Sequence, residues 1–110
     1  MIPSAKETPW GNVLVFAQNT FYQGKILNIV KGEATSLQTH SLRHTDIYLD
    51  SGVLLVQHNG VKQKMEPGEK RHFIPSDVYR MVALEDARVI EVSTAHTNEK
   101  TRVEDRYGRK

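Results

Sequence analysis

An all-β domain, built as a jelly roll or closed barrel, is the fold class this sequence predicts. Short runs of alternating or continuous apolar residues recur along the chain, most of them closed by Gly, Pro, Asn or Asp. No segment carries a helical apolar stripe for three turns, and the charged stretch Glu66 to Arg71 is short and holds Pro67 and Gly68. Many short strands joined by turns of a few residues favour closure, which satisfies the backbone groups of sheet edges.

The elements follow in order. Asn12 to Gln18 is rich in Val, Leu and Phe, and Lys25 to Val30 ends at Lys31-Gly32. Thr35 to His40 alternates, as does Asp46 to Asp50, which runs into Ser51-Gly52. Val53 to His58 and Val61 to Met65 flank Asn59-Gly60, the strongest hairpin signal here, because both residues accept φ > 0 in a type I′ turn. Pro67-Gly68 marks another turn. His72 to Ile74 precedes Pro75-Ser76-Asp77, and Tyr79 to Leu84 and Arg88 to Ser93 complete the series. The tail after Thr94 is polar and reads as a short helix or an arm.

Alternation assigns faces. Apolar residues face inward, so Thr45, Ile47 and Leu49 line the interior while Asp46, Tyr48 and Asp50 face out. Ser36, Gln38 and His40 share one face, and Leu37 and Thr39 the other. Trp10, the single tryptophan, is expected to cover one end of the barrel.

Composition bounds the function classes. At 110 residues the chain is read as one domain, with a core over about 10–94 and a C-terminal arm over about 95–110. The absence of cysteine excludes disulfides, thiolate metal sites and a cysteine nucleophile. It also fits a reducing cytosol, and with no apolar leader before Pro9 the expected location is cytoplasmic. No run reaches the roughly 20 apolar residues of a membrane span. The net charge of +2 is a C-terminal feature: residues 100–110 carry +3 and the body −1. A basic face with interleaved aromatics is not visible, so the partner expected is a small molecule, not nucleic acid. A homodimer that covers sheet edges is also compatible with this size.

At Gly32 the chain meets a family pattern. Gly32 to His40, with Gly52 twelve residues on, resembles the first motif of the cupins: Gly, five residues, His-x-His, three or four residues, Glu, six residues, Gly. Gly68, Ile74 and Pro75 resemble the second motif. Within the cupins, Ser36-Leu37-Gln38-Thr39-His40 is similar to the SLQ-x-H block of the C-terminal domain of type II mannose-6-phosphate isomerase, often fused to mannose-1-phosphate guanylyltransferase. Pro9-Trp10-Gly11, Lys25-Ile26-Leu27, Ile90 to Thr94 and the ending Arg102 to Arg109 resemble further blocks of that family, so the likeness runs from Pro9 to Arg109.

The resemblance implies a double-stranded β-helix holding a divalent metal (Zn, Mn or Fe) that polarises the oxygens of an open-chain sugar phosphate for aldose–ketose isomerisation. Gln38 and His40 occupy two of its metal-ligand positions. The family's Glu position holds Thr45, flanked by His44 and Asp46, and its second-motif His position falls on Tyr79 or Arg80. Neither Tyr79 nor Arg80 is a good ligand for these metals in its neutral or cationic form. Three readings stand at this point. One is a sugar-phosphate isomerase with a metal at Gln38 and His40. Another is a metal-free isomerase or epimerase of a nucleotide sugar, with His40 and Tyr79 in proton transfer and Arg80 and Thr45 binding substrate. The last is a non-catalytic cupin that binds a sugar or anion. His44, His58, His72 and His96 are expected at the surface or in turns.

Overall fold

In the computed structural model, which describes residues 5–96 and 99–109, the chain forms eleven strands and, among the described residues, no helix. They are β1 (Ala5–Thr8), β2 (Gly11–Gln18), β3 (Tyr22–Ile29), β4 (Leu37–His40), β5 (Thr45–Ser51), β6 (Leu54–His58), β7 (Val61–Met65), β8 (Lys70–Phe73), β9 (Val78–Ala83), β10 (Ala87–Thr94) and β11 (Lys100–Glu104). Two antiparallel sheets result, with strand orders β1-β2-β3-β10-β5-β8 and β11-β4-β9-β6-β7. Neighbours such as β10 and β5, or β9 and β4, lie far apart in sequence, which is the rolled topology expected of a jelly roll.

The inward faces make one core. Ile47, Leu49, Leu54, Val56, Met81 and Val89 are at most 1% exposed. Trp10 is buried in the same cluster, as expected, and its carbonyl accepts from Val30 N–H at 2.9 Å. The expected alternation along β5 holds: Thr45, Ile47 and Leu49 are buried, and Asp46, Tyr48 and Asp50 are exposed. Asn59 and Gly60, at φ 50° and 84°, form the expected tight turn between β6 and β7.

Two elements differ from expectation. The polar tail is a strand, not a helix: β11 adds to the edge of β4, pairing Lys100 with His40 and Arg102 with Gln38. Ala5–Thr8, unassigned by pattern, pairs with β2 as a further edge strand. Both have little apolar alternation because each lies at the end of a sheet, where burial is shallow. Beyond β11 the chain stays docked. Tyr107 packs against the core, its hydroxyl donates to the Glu33 carboxylate, and Arg106 Nη1 donates to the Gly32 carbonyl at 3.0 Å. Arg109 closes this segment by bonding Asp105, whose carboxyl is pulled down to about 2 by those hydrogen bonds.

Candidate functional site

The sheet orders leave β1 at the end of one sheet and β11 at the end of the other. Between these ends lies a cleft of about 430 Å³, within the range of about 300–1,000 Å³ common for small-molecule sites. Its walls include Trp10, Leu27 and Met81, and it is lined also by Ser36, just before β4, and Gln38 of β4. Six cations line it: Lys6, Lys25, Arg43, Lys100, Arg102 and Arg109. Only two carboxylates, Glu7 and Glu91, stand against them. Arg109 is already paired with Asp105, and Arg43 lies 3.6 Å from Glu99. Lys25 and Lys100 have no ion pair among the described residues.

Crowding of like charges has a consequence at Lys100. Although the residue is exposed, its amine is pushed down to about 8, first by the packing around it and then by Arg102, Lys25, Arg109 and Arg43. A group pressed by that much positive charge is relieved by an anion. Such a cleft attracts phosphate or carboxylate and repels metal cations.

His40, the last residue of β4, lies behind the cleft surface. It is 3% exposed, and its Nδ1 lies 2.9 Å from Glu99 Oε1. Glu99 also accepts from the backbone N–H groups of Ser41 at 2.7 Å and Leu42 at 3.4 Å. Burial, then the charge of Arg43, hold the imidazole below its ordinary 6.5, against the opposing pull of Glu99. For Glu99 burial acts the other way, but the hydrogen bonds from His40, Ser41 and Leu42 outweigh it and keep the carboxyl below its ordinary 4.5. At neutral pH the pair is therefore neutral imidazole and carboxylate. Since a carboxylate only accepts, Nδ1 carries the proton and Nε2 keeps its lone pair. Nε2 is buried and has no hydrogen-bond partner among the described residues.

Tyr79 lies deeper. Its ring stacks on Phe73 at 3.7 Å between centroids and sits 6.2 Å from the His40 ring. Burial, then the charge of Glu91, push the phenol up to about 12, so it stays protonated. Gln38 and Thr45 flank its hydroxyl without a hydrogen bond of good geometry. Gln38 Oε1 accepts from Ser36 Oγ at 3.1 Å. Thr45 is 2% exposed beside Tyr79. Arg80 points away from Tyr79 and Met81 by strand alternation. It is tied to the Thr35 carbonyl at 3.2 Å and to Glu104 at 3.3 Å. The structure thus gathers Gln38, His40, Thr45 and Tyr79, and sets Arg80 apart on the other face of its sheet.

The remaining histidines lie where expected. His44 and His72 are exposed and stack on each other outside the barrel, where Asp46 bonds His72 Nδ1 at 2.7 Å. His44 and Asp46 therefore do not stand in for the missing inner Glu. His58, at a strand end, donates from Nε2 to Asp77 at 2.9 Å. It thereby ties the β6–β7 hairpin to the Ile74–Asp77 turn. His96 is exposed, and its carbonyl accepts from Arg43.

Pattern reading missed the cations and Glu99. The +3 charge of the tail is the one available signal, since it supplies Lys100, Arg102 and Arg109 to the cleft. The metal that the resemblance implies does not fit this site. Among the described residues no three His, Cys, Asp or Glu side chains come together to hold an ion. Of the four family positions only His40 offers an ionisable ligand, beside an amide already accepting a hydrogen bond and two neutral hydroxyls, all next to a cation-lined cleft.

Comparison with known proteins bears on the fold. No family model and no curated protein matches the chain. Solved structures do. An RmlC-like cupin from Shewanella frigidimarina has a TM-score of 0.81 at 14% identity, over 87% of this chain and 86% of that one. KdgF from Halomonas sp. has a TM-score of 0.79 at 18% identity, over 86% and 88%. A sugar phosphate isomerase of the cupin superfamily from Silicibacter pomeroyi has a TM-score of 0.69 at 15% identity, over 76% of this chain and 58% of that one. With its two facing antiparallel sheets, rolled strand order and these structural counterparts, the chain has the cupin fold, a double-stranded β-helix.

Proposed function

We propose that this protein binds a sugar phosphate in the cleft between β1 and β11, with the phosphate on Lys25, Lys100 and Arg102. The observation that carries the reading is the charge of that cleft: six cations against two carboxylates, with Lys25 and Lys100 in no ion pair among the described residues. The SLQ-x-H block around Gln38 and His40, similar to that of mannose-6-phosphate isomerases, supports the same ligand class. The chemistry the site offers is proton transfer without a metal. His40, neutral and oriented by Glu99, has an unprotonated Nε2 that accepts a proton from the carbon beside an open-chain carbonyl. The cleft cations stabilise the enediolate that remains, and return of the proton to the adjacent carbon, with the hydroxyl proton passing from one enediolate oxygen to the other, completes an aldose–ketose exchange. Tyr79, protonated at all working pH values, serves as a hydrogen-bond donor and not as a base.

A second reading, binding without turnover, is favoured by one observation: the rings of His40 and Tyr79 lie behind the cleft surface and not on it. One experiment separates these. Thermal shift and calorimetry with mannose 6-phosphate, mannose and inorganic phosphate are followed by NMR of the sugar for conversion. Mannose 6-phosphate is expected to stabilise the protein, by about 2.7 kcal/mol at 100 times its dissociation constant, and mannose is not. A Lys100→Ala/Arg102→Ala variant loses that gain. Stabilisation by mannose equal to that by its phosphate rules out the proposal. Binding without conversion, unchanged in His40→Ala, leaves the binding function alone.

A further inference from the structure

The cations of the cleft are not chemically alike. Arg43, Arg102 and Arg109 stay charged at any working pH and cannot act as nucleophiles, whereas Lys6, Lys25 and Lys100 carry amines that can.

Lys100 is the amine on which the other charges converge. Arg102 lies two residues further along β11 and so on the same face of that strand. Lys25 acts on it from β3 in the other sheet, Arg43 from the β4–β5 connection, and Arg109 from the segment beyond β11. Nothing close by neutralises it. The carboxylates that line the cleft, Glu7 of β1 and Glu91 of β10, form no ion pair with Lys100. Glu99, the residue before it, is engaged by His40, Ser41 and Leu42. His40, its partner across β4, is neutral at neutral pH.

Packing around the amine, and then these four charges, bring it down to about 8 from the ordinary 10.5. At about pH 7.5 roughly a quarter of such amines are unprotonated, against roughly one in a thousand at the ordinary value. A lysine set among cations is thereby a nucleophile toward carbonyl carbon. The surrounding charge selects the electrophile, because it concentrates anions in the cleft. An open-chain sugar phosphate carries both an anionic group and a carbonyl.

We propose that Lys100 captures the carbonyl of an anionic aldehyde or ketone as an imine, with the anionic group held by Lys25 and Arg102. The Nζ lone pair adds to the carbonyl carbon, and the π pair moves to oxygen. That oxygen leaves as water with the two amine hydrogens, and the C=N nitrogen takes up one proton from solvent to become an iminium. No electrons are gained or lost overall. The bound anion offsets the crowding of like charges, so the iminium is better tolerated than the ammonium of the empty cleft. The inference rests on the cleft reading above for the anionic half of the ligand, and it gives Lys100 a covalent role that anion binding alone does not require.

Reductive trapping tests it. Wild-type protein at about pH 7.5 is treated with cyanoborohydride and either glyceraldehyde 3-phosphate or glyceraldehyde, and the adducts are located by peptide mass spectrometry. Calorimetry with inorganic phosphate is run beside it. With the phosphate ester, Lys100 is expected to carry at least about tenfold more adduct than any other lysine. It should also carry about tenfold more than glyceraldehyde gives it, and unfolding in guanidinium chloride should abolish both preferences. Adduct spread evenly over the lysines of the folded protein overturns the inference, and so does equal labelling of Lys100 by the two aldehydes. Neither comparison needs a variant to fold. If inorganic phosphate binds and Lys100 is not preferred, this inference alone fails. If phosphate does not bind and the ester has no advantage over glyceraldehyde, the cleft reading fails with it.

Discussion

His40 and Glu99 are 59 residues apart in sequence and meet at 2.9 Å. Both titrate below their ordinary values in the folded protein, from 6.5 and 4.5 respectively. The unfolded chain therefore binds more protons than the folded one from 6.5 down through the depressed value of His40, and again from 4.5 down through that of Glu99, and stability rises with pH there. The contribution of His40 is complete above 6.5 and is lost as pH falls from 6.5 through its depressed value. That of Glu99 is lost lower, as pH falls from 4.5. The melting temperature should thus drop as pH falls from 6.5 through the depressed value of His40, and His40→Gln should flatten that part of the curve. Parallel curves for the two proteins would show that His40 does not carry the effect. His40 itself was legible, because inward parity and the SLQ-x-H pattern both mark it. Glu99 was not, since a residue in a polar tail offers no sign of which distant side chain it will meet. The cations Lys25, Arg43, Lys100 and Arg102 were hidden for the same reason: only strand order brings them together.

Among the elements, those with a period of two and a firm turn were readable, because burial of one face and a positive φ each leave a residue-type signature. Thr45 to Leu49 and the Asn59-Gly60 hairpin are of this kind. β11, Lys-Thr-Arg-Val-Glu, lacks both and was invisible as a strand. The turns differ in how much they demand. Gly60 and Gly52 both have φ near +85°, at 84° and 87°. A Cβ on Gly60 would meet nothing within 4 Å, whereas one on Gly52 would lie 2.1 Å from the Asp86 carbonyl oxygen. Gly60→Ala should therefore cost only the left-handed backbone penalty, about 1–2 kcal/mol. Gly52→Ala adds a clash with backbone and should cost about 3 kcal/mol or more. Urea denaturation midpoints for the two variants check the order, and equal losses would contradict the contact that Gly52 makes with the β9–β10 turn.

At the scale of the whole molecule, the cleft exists because both ends of the chain return to one place. β1 supplies Lys6, and the C-terminal segment supplies Lys100, Arg102 and Arg109. What fixes that segment beyond β11 is Tyr107, packed on the core and hydrogen-bonded to Glu33. Ligand affinity should accordingly depend on a residue that does not line the cleft. Tyr107→Phe keeps the packing and gives up the hydroxyl, a loss of about 1 kcal/mol in stability with phosphate binding nearly intact. Tyr107→Ala removes the packing as well, costs about 2–3 kcal/mol for a half-buried ring, and should weaken phosphate binding several-fold while the barrel remains folded. Salt provides the control for the cause. Screening shortens from about 10 Å at 0.1 M to about 3 Å at 1 M, so phosphate binding to the wild type should fall steeply across that range. In Tyr107→Ala, with the segment that carries Arg109 no longer docked, the fall should be shallower. If the alanine variant binds phosphate as the wild type does, with the same salt dependence, the segment beyond β11 does not build the anion site, and the cations of β3, the β4–β5 connection and β11 suffice.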